Sequence, residues 1–199
     1  MTNKKITFLT LGSVLLFLLL VGNFNLISAQ ETMRSVGDLK TYLEIKGIEG
    51  NVADKGFEGA ISIESWSMGI TYKEETKANF FQDLYFVNVK NGASNGLFKA
   101  AVLNSVIPKA VLTVMLVPTD RNFPSVLLFR YTMNNVRVSS LNSGGSSGGN
   151  GIMDQVGLSF ESGSYEGKGA DAFNKKITDA KVDFIVPHTP KKSEKTKKP

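Results

Sequence analysis

The chain of 199 residues is 42% hydrophobic and 10% aromatic, enough for one core of ordinary size and too much for a disordered polymer. Its net charge is +5, but Lys4 and Lys5 supply +2 and the last nine residues +4, which leaves residues 31–190 at about −1 and excludes a basic nucleic-acid groove there. With no cysteine and a single histidine, a disulfide framework, thiol chemistry and zinc sites are excluded, so stability rests on the core alone.

In chain order, Lys4 and Lys5 precede the apolar run ITFLTLGSVLLFLLLVG and the small residue Ala29, the three-part pattern of a secretory signal peptide cleaved after Ala29. The rival expectation is an uncleaved anchor crossing a membrane through residues 6–22. Either places the domain outside the cytoplasm, in the periplasm or beyond the cell. The expected organisation is a leader at 1–29, a linker at 30–37, one domain at 38–186 and a disordered lysine-rich tail at 187–199.

YLEI (42–45) and AISIESWSMGITY (60–72) read as strands on either side of a glycine-rich charged loop. Alternation in the second puts Ser62, Glu64, Trp66 and Met68 on one face, and Ile61, Ile63, Ser65 and Ser67 on the other. KEETKANFFQ is a polar connection, and DLYFVNVKNG (83–92) is a third strand ending in an Asn-Gly turn. Ser94 or Asn95 is positioned to cap a short helix with an apolar stripe of Leu97, Ala100, Ala101 and Leu103, stopped by Pro108. AVLTVMLVPT (110–119) is apolar enough for burial on both faces. PSVLLFRYTMNNVRVSSLN (124–142) sets Phe129, Tyr131 and Met133 on one side, and a phase shift at Asn134-Asn135 predicts a bulge. SGGSSGGNG (143–151) reads as a flexible loop, IMDQVGLSFESGSYEGKG as one more strand and KITDAKVDFIV as a last amphipathic run. Six or seven strands and one helix predict a closed or sandwiched antiparallel β fold.

Little in this sequence points to chemistry. His188 stands between Pro187 and Pro190 at the start of the tail, a poor place for a base or metal ligand that must be held rigidly. Glu74, Glu75, Asp154, Glu161, Glu166, Asp171, Asp179 and Asp183 read as solvated strand faces and loops rather than as a catalytic carboxylate pair. The glycine loop lacks the Lys-Ser/Thr and helix of a phosphate cradle. Trp66, the only tryptophan, stands on a mixed polar and apolar face that suits a subunit contact better than a ligand platform.

DLKTYLEIKGIEGNVADKGFEGAISIESWSMGI resembles the opening of the haemolysin-coregulated protein (Hcp) family, the tube proteins of type VI secretion systems. The likeness is carried by Tyr42, Leu43, Ile45, Gly47, Ile48, Gly50, Asp54, Lys55, Ile61, Ile63, Ser65, Trp66, Ser67 and Gly69. It continues through VLTVML, YTMNNVRVSSLNSGG and QVGLSFESGSYE, over roughly residues 38–185. The resemblance implies a mainly β fold, a β-barrel of two antiparallel sheets with one short flanking helix. It also implies hexameric rings that stack into a tube, a lumen able to hold small effector proteins, contacts with other secretion-system components, and no cofactor, metal or catalytic residue. The loop Glu49 to Gly59 corresponds to a segment that reaches toward neighbouring subunits, so the resemblance nominates Glu49, Asp54, Lys55, Phe57 and Trp66 as oligomer contacts. Asn51 and Phe57 depart from the acidic residue and histidine common at those places. The leader departs more: tube proteins are loaded from the cytoplasm, and an exported copy cannot join a sheathed tube there. Two expectations follow, an exported ring-forming structural protein and a monomeric effector or ligand-binding module that keeps the barrel.

Overall fold

The computed structural model describes residues 37–119, 122, 124–147, 151–168 and 179–187. The leader, His188, Asp171 and the lysine tail lie outside them. Two compact units emerge: Met1–Asp38 with Val117–Ser125, and Leu39–Leu116 with Val126–Pro199. In the first, Gly37 (φ 126°) lies where a side chain would overlap the Val117 carbonyl oxygen. Everything below concerns the second.

The described residues form β1 (Asp38–Ile45), β2 (Ile61–Ser62), β3 (Ser65–Ser67), β4 (Ile70–Lys73), β5 (Ala78–Phe81), β6 (Leu84–Val89), α1 (Gly92–Val102), β7 (Ile107–Val117), β8 (Val126–Gly145), β9 (Ile152–Ser159), β10 (Ser162–Gly167) and β11 (Ala180–Ile185). The main sheet runs β2-β1-β7-β8-β9-β6-β3, and β10 branches from β8 with β11 beside it. These strand pairs are antiparallel. β2 and β3 are successive parts of one stretch. Ile63 N–H donates to the Thr41 carbonyl at 3.1 Å and Glu64 N–H to the Val87 carbonyl at 2.9 Å. The stretch 61–67 therefore leaves β1 for β6 between these two residues and joins the ends of the main sheet into a barrel, while β11 pairs with β10 alone.

Closure also corrects the faces read from alternation. Ile61 and Ile63 are buried, and Trp66 and Met68 pack against the same core, so the inward phase slips by one residue where the stretch changes partner. Ser65 and Ser67 face outward.

β8 is shared: residues 126–136 pair with β7, 129–134 with β10 and 137–145 with β9. The expected bulge at Asn134-Asn135 is not an inserted residue. Asn134↔Ser162 and Arg137↔Ser159 keep one register, and the phase turns because Asn135 adopts φ 52°, a conformation asparagine tolerates. Its side-chain amide donates to Glu161 at 2.8 Å. The register shifts lie instead at Val138/Ser140 and Val114/Met115. Three further expectations are corrected. β8 continues through Gly145, shortening the glycine loop; the late run bends into β9 and β10 at Phe160-Glu161; and the polar connection contains β5, which forms a hairpin with β4. In β7, Leu112, Thr113 and Val114 are successive buried residues, the two-sided burial expected.

Helix α1 begins earlier than expected. Asn91 is the cap and accepts from Ala93 N–H, while Ser94 stands at the third helical position and accepts from Asn91 N–H, completing a capping box. The Asn-Gly pair thus opens a helix instead of turning a hairpin. Ala93, Leu97 and Ala100 of α1 join Leu43, Ile45, Ile61, Phe86, Leu112, Met133, Val136 and Leu158 in the core.

Candidate functional site

The loop between β1 and β2 folds back on its own barrel. The Phe57 ring stacks on Tyr42 with centroids 4.1 Å apart. The Asp54 carboxylate accepts from the Tyr42 hydroxyl at 2.6 Å and from Lys40 Nζ at 2.8 Å. Lys40 first, and Tyr42 second, hold the Asp54 carboxyl below the usual carboxylate range. The bond to Asp54 raises the Lys40 ammonium, while burial and then the same bond push the Tyr42 phenol up. Gly96 of α1 sits close against Ile48, tying the loop's start to the helix. Of the residues nominated as contacts, Phe57 and Asp54 thus engage β1, and Glu49 and Lys55 are exposed.

Trp66 belongs to an internal aromatic cluster: its ring meets Phe129 edge-on at 5.5 Å, Phe129 meets Tyr131 at 5.7 Å, and Tyr131 lies 4.9 Å from Tyr165. Burial, and then Tyr165, push the Tyr131 phenol up. Phe81 stacks on Phe184 at 4.5 Å and both meet Phe160, which fixes the root of the β4–β5 hairpin and of β11. Beyond that root all four residues of β4 are exposed, Ile70 at 56% and Tyr72 at 55%. Sequence reading missed this projecting element, since KEETK hides a strand of only four residues behind it. Ile70 and Tyr72, two apolar residues at strand spacing before a charged turn, were its signal.

On the outer face of β3, β6, β9 and β8 the register aligns Ser65, Val87, Gln155 and Asn142 in one row and Ser67, Tyr85, Gly157 and Ser140 in the next. They line a cleft of about 430 Å³ that carries hydroxyl and amide groups, one half-exposed phenol and no charge. A Cβ at Gly157 would come within 2.5 Å of Ser140 Oγ and 2.9 Å of the Tyr85 ring, so a larger residue there would displace side chains that line the cleft.

Asp154 is buried, which corrects its reading as a solvated carboxylate. It faces Asn88 on β6 and Ser143 on β8 and accepts hydrogen bonds from the hydroxyls of Ser94 and Ser143. The signal lay in the alternation, because Asp154 shares a phase with Val156 and Leu158, and Asn88 with Leu84 and Phe86. Among the described residues no three of His, Cys, Asp and Glu converge to hold a metal ion, and no helix is long and apolar enough to cross a membrane.

Residues 42–166 match the profile of a family described as "Type VI secretion system effector, Hcp". No curated protein sequence matches the chain significantly. Among solved structures, Hcp1 from Salmonella typhimurium superposes with a TM-score of 0.60 at 21% identity, covering 74% of this chain and 94% of that one. A type VI secretion system effector from Yersinia pestis gives 0.60 at 16% identity, with 73% and 99% covered. A structure described only as a type six secretion system protein gives 0.63 at 18% identity, with 75% and 96% covered. At such identities the likeness establishes the fold.

Proposed function

Because this chain belongs to the Hcp family of type VI secretion systems, we propose that it works by cohesion between identical copies, closing into hexameric rings that stack into a tube, with no bond-making chemistry of its own. The observation that carries this reading is the β4–β5 hairpin. A two-stranded hairpin is marginal in water by itself, yet this one holds Ile70, Tyr72 and its main-chain edges in solvent while the barrel it springs from is closed. A neighbouring subunit would cover those groups. Phe98 and Val102 on the outer side of α1, exposed at 60% and 67%, offer a second apolar patch to a subunit beside it. Glu49 and Lys55 remain available at the rim of the loop, whereas Trp66 and Phe57 act by holding their own subunit in shape.

The uncharged cleft around Ser65, Ser67, Tyr85, Ser140, Asn142 and Gln155 is the face we assign to cargo, small effector proteins in the lumen. Groups that neither demand nor repel charge hold a passenger and release it. The same cleft favours the second reading, an exported monomer that binds a ligand there. In either case residues 1–29 act as the export signal and deliver the domain to the periplasm or beyond, outside any cytoplasmic sheath.

Native mass spectrometry of the full chain tests assembly: a sixfold oligomer is expected, and a monomer at every concentration would refute ring formation. Ile70→Asp with Tyr72→Asp is expected to break the oligomer while leaving the circular dichroism of the barrel intact. An unaltered oligomer would remove the hairpin from the contact. N-terminal sequencing of protein recovered outside the cells should begin at Gln30.

A further inference from the structure

Under the first turn of α1, three adjacent strands align one polar row, buried at Asn88 on β6 and Asp154 on β9 and open to solvent at Ser143 on β8, through the pairings Asn88↔Asp154 and Ser143↔Asp154. Asn88 is 0% exposed and Asp154 1%. Each side-chain donor group of the row has a protein partner. The hydroxyls of Ser94 and Ser143 donate to the two oxygens of Asp154. Asn88 Nδ2 donates to the Val89 carbonyl at 3.0 Å, which also takes Asn91 Nδ2 at 3.0 Å. Asn88 Oδ1 has no partner.

Turning the amide over would set Oδ1 against the Val89 carbonyl oxygen, acceptor against acceptor. On two paired residues stand an unpartnered carbonyl, Asn88 Oδ1, and a carboxylate that retains lone pairs. Two acceptors with no donor between them call for a ligand that donates twice. We propose that one internal water binds between Asn88 and Asp154, giving one hydrogen to Asn88 Oδ1 and the other to the Asp154 carboxylate. Water suits the site better than a cation: the row holds a single carboxylate, already taken by two hydroxyl protons, whereas a calcium ion requires about six oxygen ligands. Polar, buried and offering two acceptors, the site has the character of those that hold ordered water. Its role would be that of a fixed structural ligand. It ties β6 to β9 directly beneath the first turn of α1, where Ser94 already joins the helix to the same carboxylate.

A crystal structure of the full chain at about 1.2 Å resolution, where amide nitrogen and oxygen separate, tests the proposal. A density peak roughly 2.7–3.0 Å from both Asn88 Oδ1 and an Asp154 oxygen is expected, unchanged between crystals grown with EDTA and with calcium chloride. Three results would overturn it: a dry site, an amide refined with Nδ2 donating to Asp154, or a peak about 2.4 Å from several oxygens that is lost in EDTA. In solution, nuclear Overhauser effects from a long-lived water to the Asn88 side-chain amide protons are expected, and their absence would count equally against it. Asn88→Leu, which removes the acceptor, should abolish the density peak. Persistence of the peak in that variant would assign the water to other partners.

Discussion

Replacing Ser94 by alanine removes one oxygen that serves two bonds. It deletes the donor to buried Asp154, a hydrogen bond to a charged group that contributes about 1.5–3 kcal/mol. It also deletes the acceptor for the Asn91 N–H in the capping box, an ordinary bond contributing about 0.5–1.5 kcal/mol. A loss of roughly 2–4 kcal/mol is therefore expected for Ser94→Ala. Ser143→Ala deletes only a donor to the other Asp154 oxygen, with an expected loss of about 1.5–3 kcal/mol. Both serines act on one carboxylate, so the double variant should depart from the sum of the singles. Urea unfolding of the full chain, followed through Trp66 fluorescence, reads these values; a loss of 3 kcal/mol lowers the midpoint by about 1–3 M at ordinary slopes. The reasoning fails if Ser94→Ala costs no more than Ser143→Ala, or if either costs under about 0.5 kcal/mol.

The Asp54 carboxyl titrates below its unfolded value because Lys40 and Tyr42 favour its charged form. Its contribution is therefore complete above the unfolded value of about 3.9 and is lost as pH falls through the lower folded value. In a ¹³C NMR titration Lys40→Ala should raise the Asp54 midpoint more than Tyr42→Phe does, since Lys40 is the larger cause; the reverse order would discard this account. Gly163→Ala should destabilise by about 1–3 kcal/mol through overpacking, because the new methyl would overlap the Thr132 carbonyl oxygen and lie 2.8 Å from the Phe184 ring. A thermal midpoint unchanged from the parent would show that β10 and β11 yield there.

Local chemistry fixed which segments became strands. Alternation in YLEI, LYFVNV and QVGLS and apolar continuity in AVLTVML depend on side chains one or two positions apart, and each of these stretches lies in a strand; Pro108, read as the helix stop, is instead the second residue of β7, and α1 ends at Val102. The family pattern around Trp66 was likewise legible, and so was the barrel it implies. Partnership was not legible, because pairing joins residues far apart in sequence. ISIESWS looks like one strand with two constant faces, yet it serves β1 with its first half and β6 with its second, and that change reverses which residues point inward. The turn in β8 looked like an insertion, although a left-handed Asn135 shifts the phase without disturbing the register. Asp154 looked like any surface carboxylate until α1 came down on it with Ser94, sixty residues away. Burial of a polar group depends on what covers it, and the cover here is supplied by tertiary structure alone.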